Sequence, residues 1–399
     1  MMGALPALLL VGPRATGKTT TARRYAASVA RLDRPAESAA FAADPDAALR
    51  TMPEPLLLDE WQAVPEVLGA VKRAVDDDPR SGRFLLTGSV RAGIDAQTWP
   101  GTGRLVRVPM FGLTQRELAG QTAGPGFIDR LATADLDAMN VPTPSPDLPA
   151  YLEIALTGGF PDTALRLTGP ERAAWLDSYL DQLLTRDAAG LAGRDPARLR
   201  RYFEAVALNS AGLAEDKTLY DAAAIDRKTA AAYERLLVNL LVLELIPAWL
   251  TNRLSRLVKA PKRYLVDPAL IGAALQLDVP AAMRDGDLLG RLLDTLVAAQ
   301  LRPEVALGTQ RARLYHLREK NGRREVDLLA ELAAHHVVAL EVKASAAPRT
   351  EDARHLTWLR DQIGERFIAG AVLHTGPGRF ALGERIFALP IAAIWAAQS

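Results

Sequence analysis

A chain of 399 residues that is 49 % apolar is long enough for two or three domains with substantial cores. It contains no cysteine, which excludes disulfides and thiolate metal sites. With 48 Lys and Arg against 47 Asp and Glu, the net charge of +1 excludes a globally basic nucleic-acid binder, so any such affinity must sit in local patches.

Residues 5–12 form an apolar run that ends in glycine. The opening MMGALPALLLVGP has no charged start and leads directly into GPRATGKTT, so it reads as a buried first strand rather than a secretory leader. A helical pattern continues to about residue 30. A weak strand is expected over 38–43, strands over 55–58, 83–86 and 104–109, and a helix over 64–75. Strands alternating with helices imply a parallel sheet covered on both faces. Residues 122–150 are rich in Pro, Gly, Asp and Thr and end in the linker-like VPTPSPDLP. A helical region runs to about 208, and 217–250 reads as helix, break, helix. The apolar stretch LLVNLLVLELIPAWL is interrupted by Asn239, Glu244 and Pro247, too polar and too short for a membrane span. A helix over 285–301 and strands over 312–318, 325–329 and 337–343 complete the reading. The chain is expected to be cytoplasmic, with no membrane contact.

Gly12, Pro13, Arg14, Ala15, Thr16, Gly17, Lys18 and Thr19 match G-x-x-x-x-G-K-[ST] without a mismatch, and Thr20 follows. The glycines let backbone N–H groups curl around a phosphate. Lys18 offers a point charge to the β- and γ-phosphates, the Thr19 hydroxyl is a magnesium ligand, and the helix that begins here aims its positive end at the anion. LLLDE at 56–60 delivers Asp59 to the end of an apolar strand as a second magnesium ligand, with Glu60 beside it to polarise water. RFLLTGS places Thr87 and Ser89 at another strand end, either of them positioned to sense the γ-phosphate. Arg91, Arg104 and Arg186 are candidate arginine fingers that spacing alone does not rank. The expected cofactors are ATP and Mg2+.

GPRATGKTT, LLLDEWQ and LLTGS together resemble the prokaryotic AAA-type ATPases that carry a DUF4143 C-terminal region. The landmarks GTGR at 101–104, TQRE at 114–117, GGFPD at 158–162 and YLDQLLTRD at 179–187 extend the resemblance over nearly the whole chain. It implies an α/β protein: a P-loop parallel-sheet ATPase domain (1–145), a helical and winged-helix middle (146–280) and a small α/β nuclease-like C-terminal domain (281–399). It also makes a homo-oligomer completed by a neighbour's arginine an open expectation.

KTLYDAAAIDRKTAAAYERLLVNLLVLELIPAW resembles the winged-helix segment of that family, with Asp226 opening the second helix and Arg227, Lys228 and Arg235 placed to face phosphate. NRLSRLVKAPKR adds Arg253, Arg256, Lys259, Lys262 and Arg263 with no acid among them, the best sequence argument for DNA.

Toward the end, Asp294 sits at the edge of a leucine stripe, Asp327 lies on one strand, and Glu341 and Lys343 share a face of the next. Three carboxylates able to hold magnesium and a lysine able to position water suit a phosphodiesterase. This Asp followed by Glu-x-Lys resembles the PD-(D/E)xK nucleases, although Asp294 stands where that pattern has a glutamate. The five histidines, all at or after His316, show no metal-ligand spacing. Two readings follow: an ATP-driven DNA-processing enzyme, or a nucleotide-dependent switch whose inactive nuclease-like domain binds a protein partner. A small-molecule kinase is disfavoured by the long C-terminal half.

Overall fold

The computed structural model describes residues 1–88, 103–189, 195–249, 260–308, 311–319 and 323–396. They divide into two compact units, Met1–Phe111 with Asn239–Leu241, and Gly112–Val238 with Val242–Ser399.

In the first unit β1 (Ala7–Val11), α1 (Lys18–Arg23), β2 (Ser28–Arg31), α2 (Pro35–Ala43), α3 (Pro45–Thr51), β3 (Leu56–Asp59), α4 (Val67–Asp77), β4 (Phe84–Gly88) and β5 (Leu105–Pro109) follow in order. The strands form one sheet, β2-β3-β4-β1-β5, with every neighbouring pair parallel. The inner strands read as unbroken apolar runs because both of their faces are covered. Leu9, Leu56, Leu58 and Phe84 pack with Trp61 and the α4 residues Val67, Leu68 and Val71 on one face. Leu8, Leu10, Leu57 and Leu85 pack with Ala22 of α1 on the other. Each such fully buried aliphatic side chain contributes about 1.5–3 kcal/mol against exposure, so the sheet holds its register firmly. That register sets Asp59 beside Thr87 and Val11 beside Gly88, bringing three strand ends together at one edge.

Two expectations are corrected here. The helix after the glycine loop stops at Arg23, and residues 28–31 are strand β2, not the last turn of a helix running to 30. Residues 38–43 belong to helix α2, not to a strand. Alanine-rich text explains both. AESAAFAA behind Pro35 at the first helical turn favours helix, whereas SVAR is recruited to strand by pairing with β3.

In the second unit the helices are α5 (Gln115–Leu118), α6 (Phe127–Leu131), α7 (Leu148–Thr157), α8 (Pro161–Leu165), α9 (Gly169–Ala189), α10 (Pro196–Leu208), α11 (Asp216–Ala222), α12 (Arg227–Asn239), α13 (Ala269–Leu275), α14 (Val279–Arg284), α15 (Gly286–Leu307) and α16 (Arg354–Ile363). Strands β6 (Leu243–Ile246) and β7 (Lys262–Leu265) form an antiparallel ribbon. The residues after α12 are thus strand, where a continuing helix was expected; Leu241 turns the chain through the left-handed region at φ 62°. Strands β8 (Arg313–Arg318), β9 (Glu325–Glu331), β10 (Val337–Val342), β11 (Phe367–His374), β12 (Phe380–Gly383) and β13 (Ile386–Pro390) make a mixed sheet in the order β12-β13-β11-β10-β9-β8. Leu356 and Leu359 of α16 cover one face with Val326, Val337, Ala339 and Phe367. The first unit ends at Phe111, and the helical middle and the C-terminal sheet share the second. Among the described residues no helix is long and apolar enough to cross a membrane.

Candidate functional sites

The loop from Gly12 to Gly17 is built on local necessity. A Cβ on Gly12 would lie 2.3 Å from the Met110 carbonyl oxygen, so no larger residue fits beside the end of β5. Ala15 (φ 60°) and Gly17 (φ 85°) take left-handed conformations that curl the backbone into a nest ahead of α1. The Thr16 hydroxyl donates to the Pro13 carbonyl at 2.8 Å and braces the curl. Lys18 is folded into it, its Nζ donating to the carbonyls of Gly12 (2.9 Å) and Pro13 (2.6 Å). Burial, with a smaller contribution from Arg14, lowers its pKa to about 8. Arg14, Ala15 and Thr20 stand exposed at the rim.

Opposite the loop, Asp59 Oδ1 accepts from the Thr19 hydroxyl at 2.7 Å and from the Thr87 hydroxyl at 2.5 Å. One buried carboxylate therefore ties together the first turn of α1 and the ends of β3 and β4. Glu60 follows at φ 52°, half-buried, and burial raises its carboxyl above the usual range. Its Oε2 accepts from the Gln62 amide. Gly88 leaves room for that arrangement: a Cβ there would lie 2.6 Å from Trp61 Nε1 and 2.8 Å from Gln62 Oε1. Gln62 closes the LLLDEWQ segment but is not among the sequence candidates for the site. Arg104, one of the candidate fingers, is tied to Asp76 at 2.5 Å. Ser89, Arg91 and the side chain of Arg186 lie outside the described residues.

A second cluster forms in the C-terminal sheet. Asp294 on α15, Asp327 on β9, Glu341 on β10 and Lys343 just beyond it come together, as the sequence pattern expects. A fifth residue joins them that the pattern did not include. Lys262 of β7 is 1 % exposed and places its Nζ 2.7 Å from Asp294 Oδ2 and 3.3 Å from Asp327 Oδ1. Asp294 Oδ1 accepts from the Tyr264 hydroxyl at 3.0 Å, and Asp327 Oδ2 from the Val342 N–H at 2.9 Å. Burial works against the Lys262 charge, but Asp294, Tyr264 and Asp327 outweigh it and hold the ammonium's pKa well above the ordinary value. Burial pushes Asp294 up to about 6. Asp327 is half-buried, which works against its charge, yet Lys262 and the Val342 N–H hold it below the usual carboxylate range.

Glu341 is 3 % exposed. Its Oε2 accepts from Lys343 Nζ at 3.1 Å. Its Oε1 is buried without a hydrogen bond, 3.7 Å from His355 Nδ1, which donates instead to the Glu325 carbonyl at 2.6 Å. Burial and the nearby Asp327 charge push Glu341 up to about 7. Among the described residues no group of three or more His, Asp or Glu side chains is spaced to hold a metal ion.

The basic stretch before this cluster is corrected as well. Lys262 and Arg263 do not form a surface patch. Lys262 is interior, and Arg263 is buried with its Nε on Glu234 and Nη2 on Asp216, each at 2.5 Å, pinning α11 to α12. Arg253, Arg256 and Lys259 lie outside the described residues. Asp226 caps α12 as expected, accepting from the Thr229 N–H at 3.0 Å, and Arg227, Lys228 and Arg235 are exposed.

A five-stranded parallel sheet whose glycine loop, lysine, threonine and strand-end aspartate converge gives the first unit a P-loop arrangement, and residues 5–119 match the model of an AAA domain. Behind it the chain carries two domains of unknown function, DUF8612 over residues 148–281 and DUF4143 over 289–394. It is similar to uncharacterized proteins of Mycobacterium tuberculosis and Mycobacterium bovis, each 27 % identical over 392 residues, covering 96 % of this chain and 80 % of the relative. The Walker-type ATPase PABY2304 of Pyrococcus abyssi is a structural neighbour with a TM-score of 0.41 and 14 % identity, covering 68 % of this chain and 91 % of that one.

Proposed function

We propose that the first unit binds and hydrolyses magnesium ATP, and that the chain works as a nucleotide-dependent switch whose second unit binds a macromolecular partner without cutting it. The observation that carries the first half is the single Asp59 oxygen shared by Thr19 and Thr87, with Glu60 at the adjoining position. The donor set suits magnesium because it is all hard oxygen: Thr19 and Asp59 would hold the ion, which when bound polarises the phosphoryl oxygens. The amides around Ala15 and Gly17 would cradle the β-phosphate. Lys18 would exchange the Gly12 and Pro13 carbonyls for phosphate oxygens and regain a full opposing charge. Glu60, whose carboxyl burial raises above its usual range, suits the positioning and deprotonation of the attacking water.

The second half rests on the C-terminal cluster, where a lysine lies between two of the three carboxylates meant for a metal. DNA is a possible partner through the exposed Arg227, Lys228 and Arg235 of α12, but the buried Lys262 and Arg263 no longer argue for it. The deciding experiment compares Glu60→Gln with wild type. ATP binding is retained while hydrolysis falls at least about 100-fold, the usual range for losing a general base. Undiminished turnover in the variant would remove Glu60 from the mechanism. Magnesium-dependent degradation of labelled DNA, lost in Asp327→Ala, would replace the switch reading by the nuclease one.

A further inference from the structure

The C-terminal cluster has the carboxylates of a magnesium phosphodiesterase but not the room for its ion. Magnesium held by Asp294 and Asp327 would sit about 2.0–2.1 Å from an oxygen of each. The Lys262 ammonium already touches both oxygens and also lies 3.4 Å from the Asp327 carbonyl. All four oxygens of the two carboxylates are engaged: Tyr264 and Lys262 on Asp294, Lys262 and Val342 on Asp327. The lysine does not hang from a loop end. Its backbone is paired to Ile246 in the β6–β7 ribbon, and the flanking Arg263 is anchored to Glu234 and Asp216. Swinging Nζ out to water would leave the buried Asp294 and the half-buried Asp327 beside each other without their cation, which is unfavourable.

The geometry points to Lys262 as the resident cation of this cluster: its ammonium holds the place a divalent metal takes, closes the site to Mg2+ and Mn2+, and ties β7, α15 and β9 into one structural element. This deepens the reading of the second unit as a binding module. A covalently attached cation gives the same three-way tie as a metal while supplying neither an open coordination position nor a metal-bound water, so the nuclease-like sheet can persist as a scaffold.

The test is Mn2+ titration of the full chain without nucleotide, read by electron paramagnetic resonance of free Mn2+. In wild type, Asp327→Asn is expected to leave Mn2+ uptake unchanged. Lys262→Ala, which removes the charge and vacates the place of the ammonium, is expected to create a Mn2+ site at least tenfold tighter than any the wild type has outside the P-loop, and Asp327→Asn in that background should abolish it. Mn2+ uptake by wild type that Asp327→Asn removes would overturn the proposal, as would a folded Lys262→Ala protein that gains no site. If Lys262→Ala does not fold, the wild-type pair decides alone. Because no nucleotide is present, failure here is separate from failure of the ATPase reading, which Glu60→Gln measures.

Discussion

Glu341 offers a quantitative check on the C-terminal cluster. Its carboxylate is buried, one oxygen has no hydrogen bond, and its pKa is pushed from 4.5 up to about 7. A carboxyl whose folded pKa exceeds its unfolded value stabilises the fold below the unfolded pKa and loses that contribution as pH rises through the folded one. A shift of this size corresponds to about 3 kcal/mol present near pH 4.5 and gone by pH 8. Glu341→Gln cannot titrate, so it should erase this slope. His355, whose pKa is raised by Glu341, loses stability in the same direction with rising pH, and removing Glu341 cancels that contribution too. The variant gives up the bond to Lys343, but that side chain is 36 % exposed and can turn to water, a loss of about 1 kcal/mol at most. Glu341→Gln should therefore be less stable than wild type at pH 5 and equal to it or more stable at pH 8.5. Urea unfolding of the full chain should show it, with Trp249 and Trp358 beside this core reporting the second unit. Titrations elsewhere are common to both proteins and cancel in the difference. Parallel stability curves for the two proteins between pH 5 and 8.5, within about 0.5 kcal/mol, would refute the assignment of Glu341 as the destabilised acid.

Two further outcomes test the nucleotide site. With the Lys18 pKa lowered to about 8 in the free protein, the affinity for magnesium ATP should fall about tenfold between pH 7 and pH 9, because binding must then restore the proton; fluorescence titration with a labelled ATP analogue that shows a flat profile would count against the buried, unpaired ammonium. Gly88→Ala should lower ATP turnover about 10-fold or more while leaving nucleotide affinity within about threefold, since the added Cβ displaces Trp61 and Gln62 and shifts Glu60, and a misplaced catalytic group costs rate rather than binding. Unaltered turnover in Gly88→Ala would show that Gln62 does not hold Glu60 in place.

The proposed nucleotide site was legible because its parts are close in sequence or announce themselves by strand ends. Gly12 to Thr19 is one contiguous segment. Asp59 and Thr87 each close an apolar run, and parallel strands in register bring such ends together without further information. What escaped was conformational detail inside alanine-rich text. Residues 28–31 follow a helix-like alanine-rich run, and they became strand because β3 offers them a ladder. Gln62 escaped for a related reason: its significance is a contact with Glu60 made possible by the absent side chain of Gly88, and neither condition has a spacing signature.

The C-terminal cluster shows a different kind of illegibility. Asp294, Asp327, Glu341 and Lys343 were picked out by strand alternation and by an acid on an apolar helix face, and they do converge. Lys262 was noticed too, but as one of five cations in a run free of acids, which reads naturally as a solvated basic patch. Composition along the chain reports which charges are neighbours in sequence; it does not report which charges are compensated across the fold. Lys262 and Arg263 are adjacent and alternate in direction along β7, so one reaches Asp294 and Asp327 and the other Glu234 and Asp216. Acids 29 to 65 residues away neutralise Lys262 and Arg263, which look unopposed when the stretch is written out. The same long-range pairing that takes Lys262 and Arg263 out of the expected basic patch also fills the metal position, so both halves of the nuclease reading weaken through one strand of four residues.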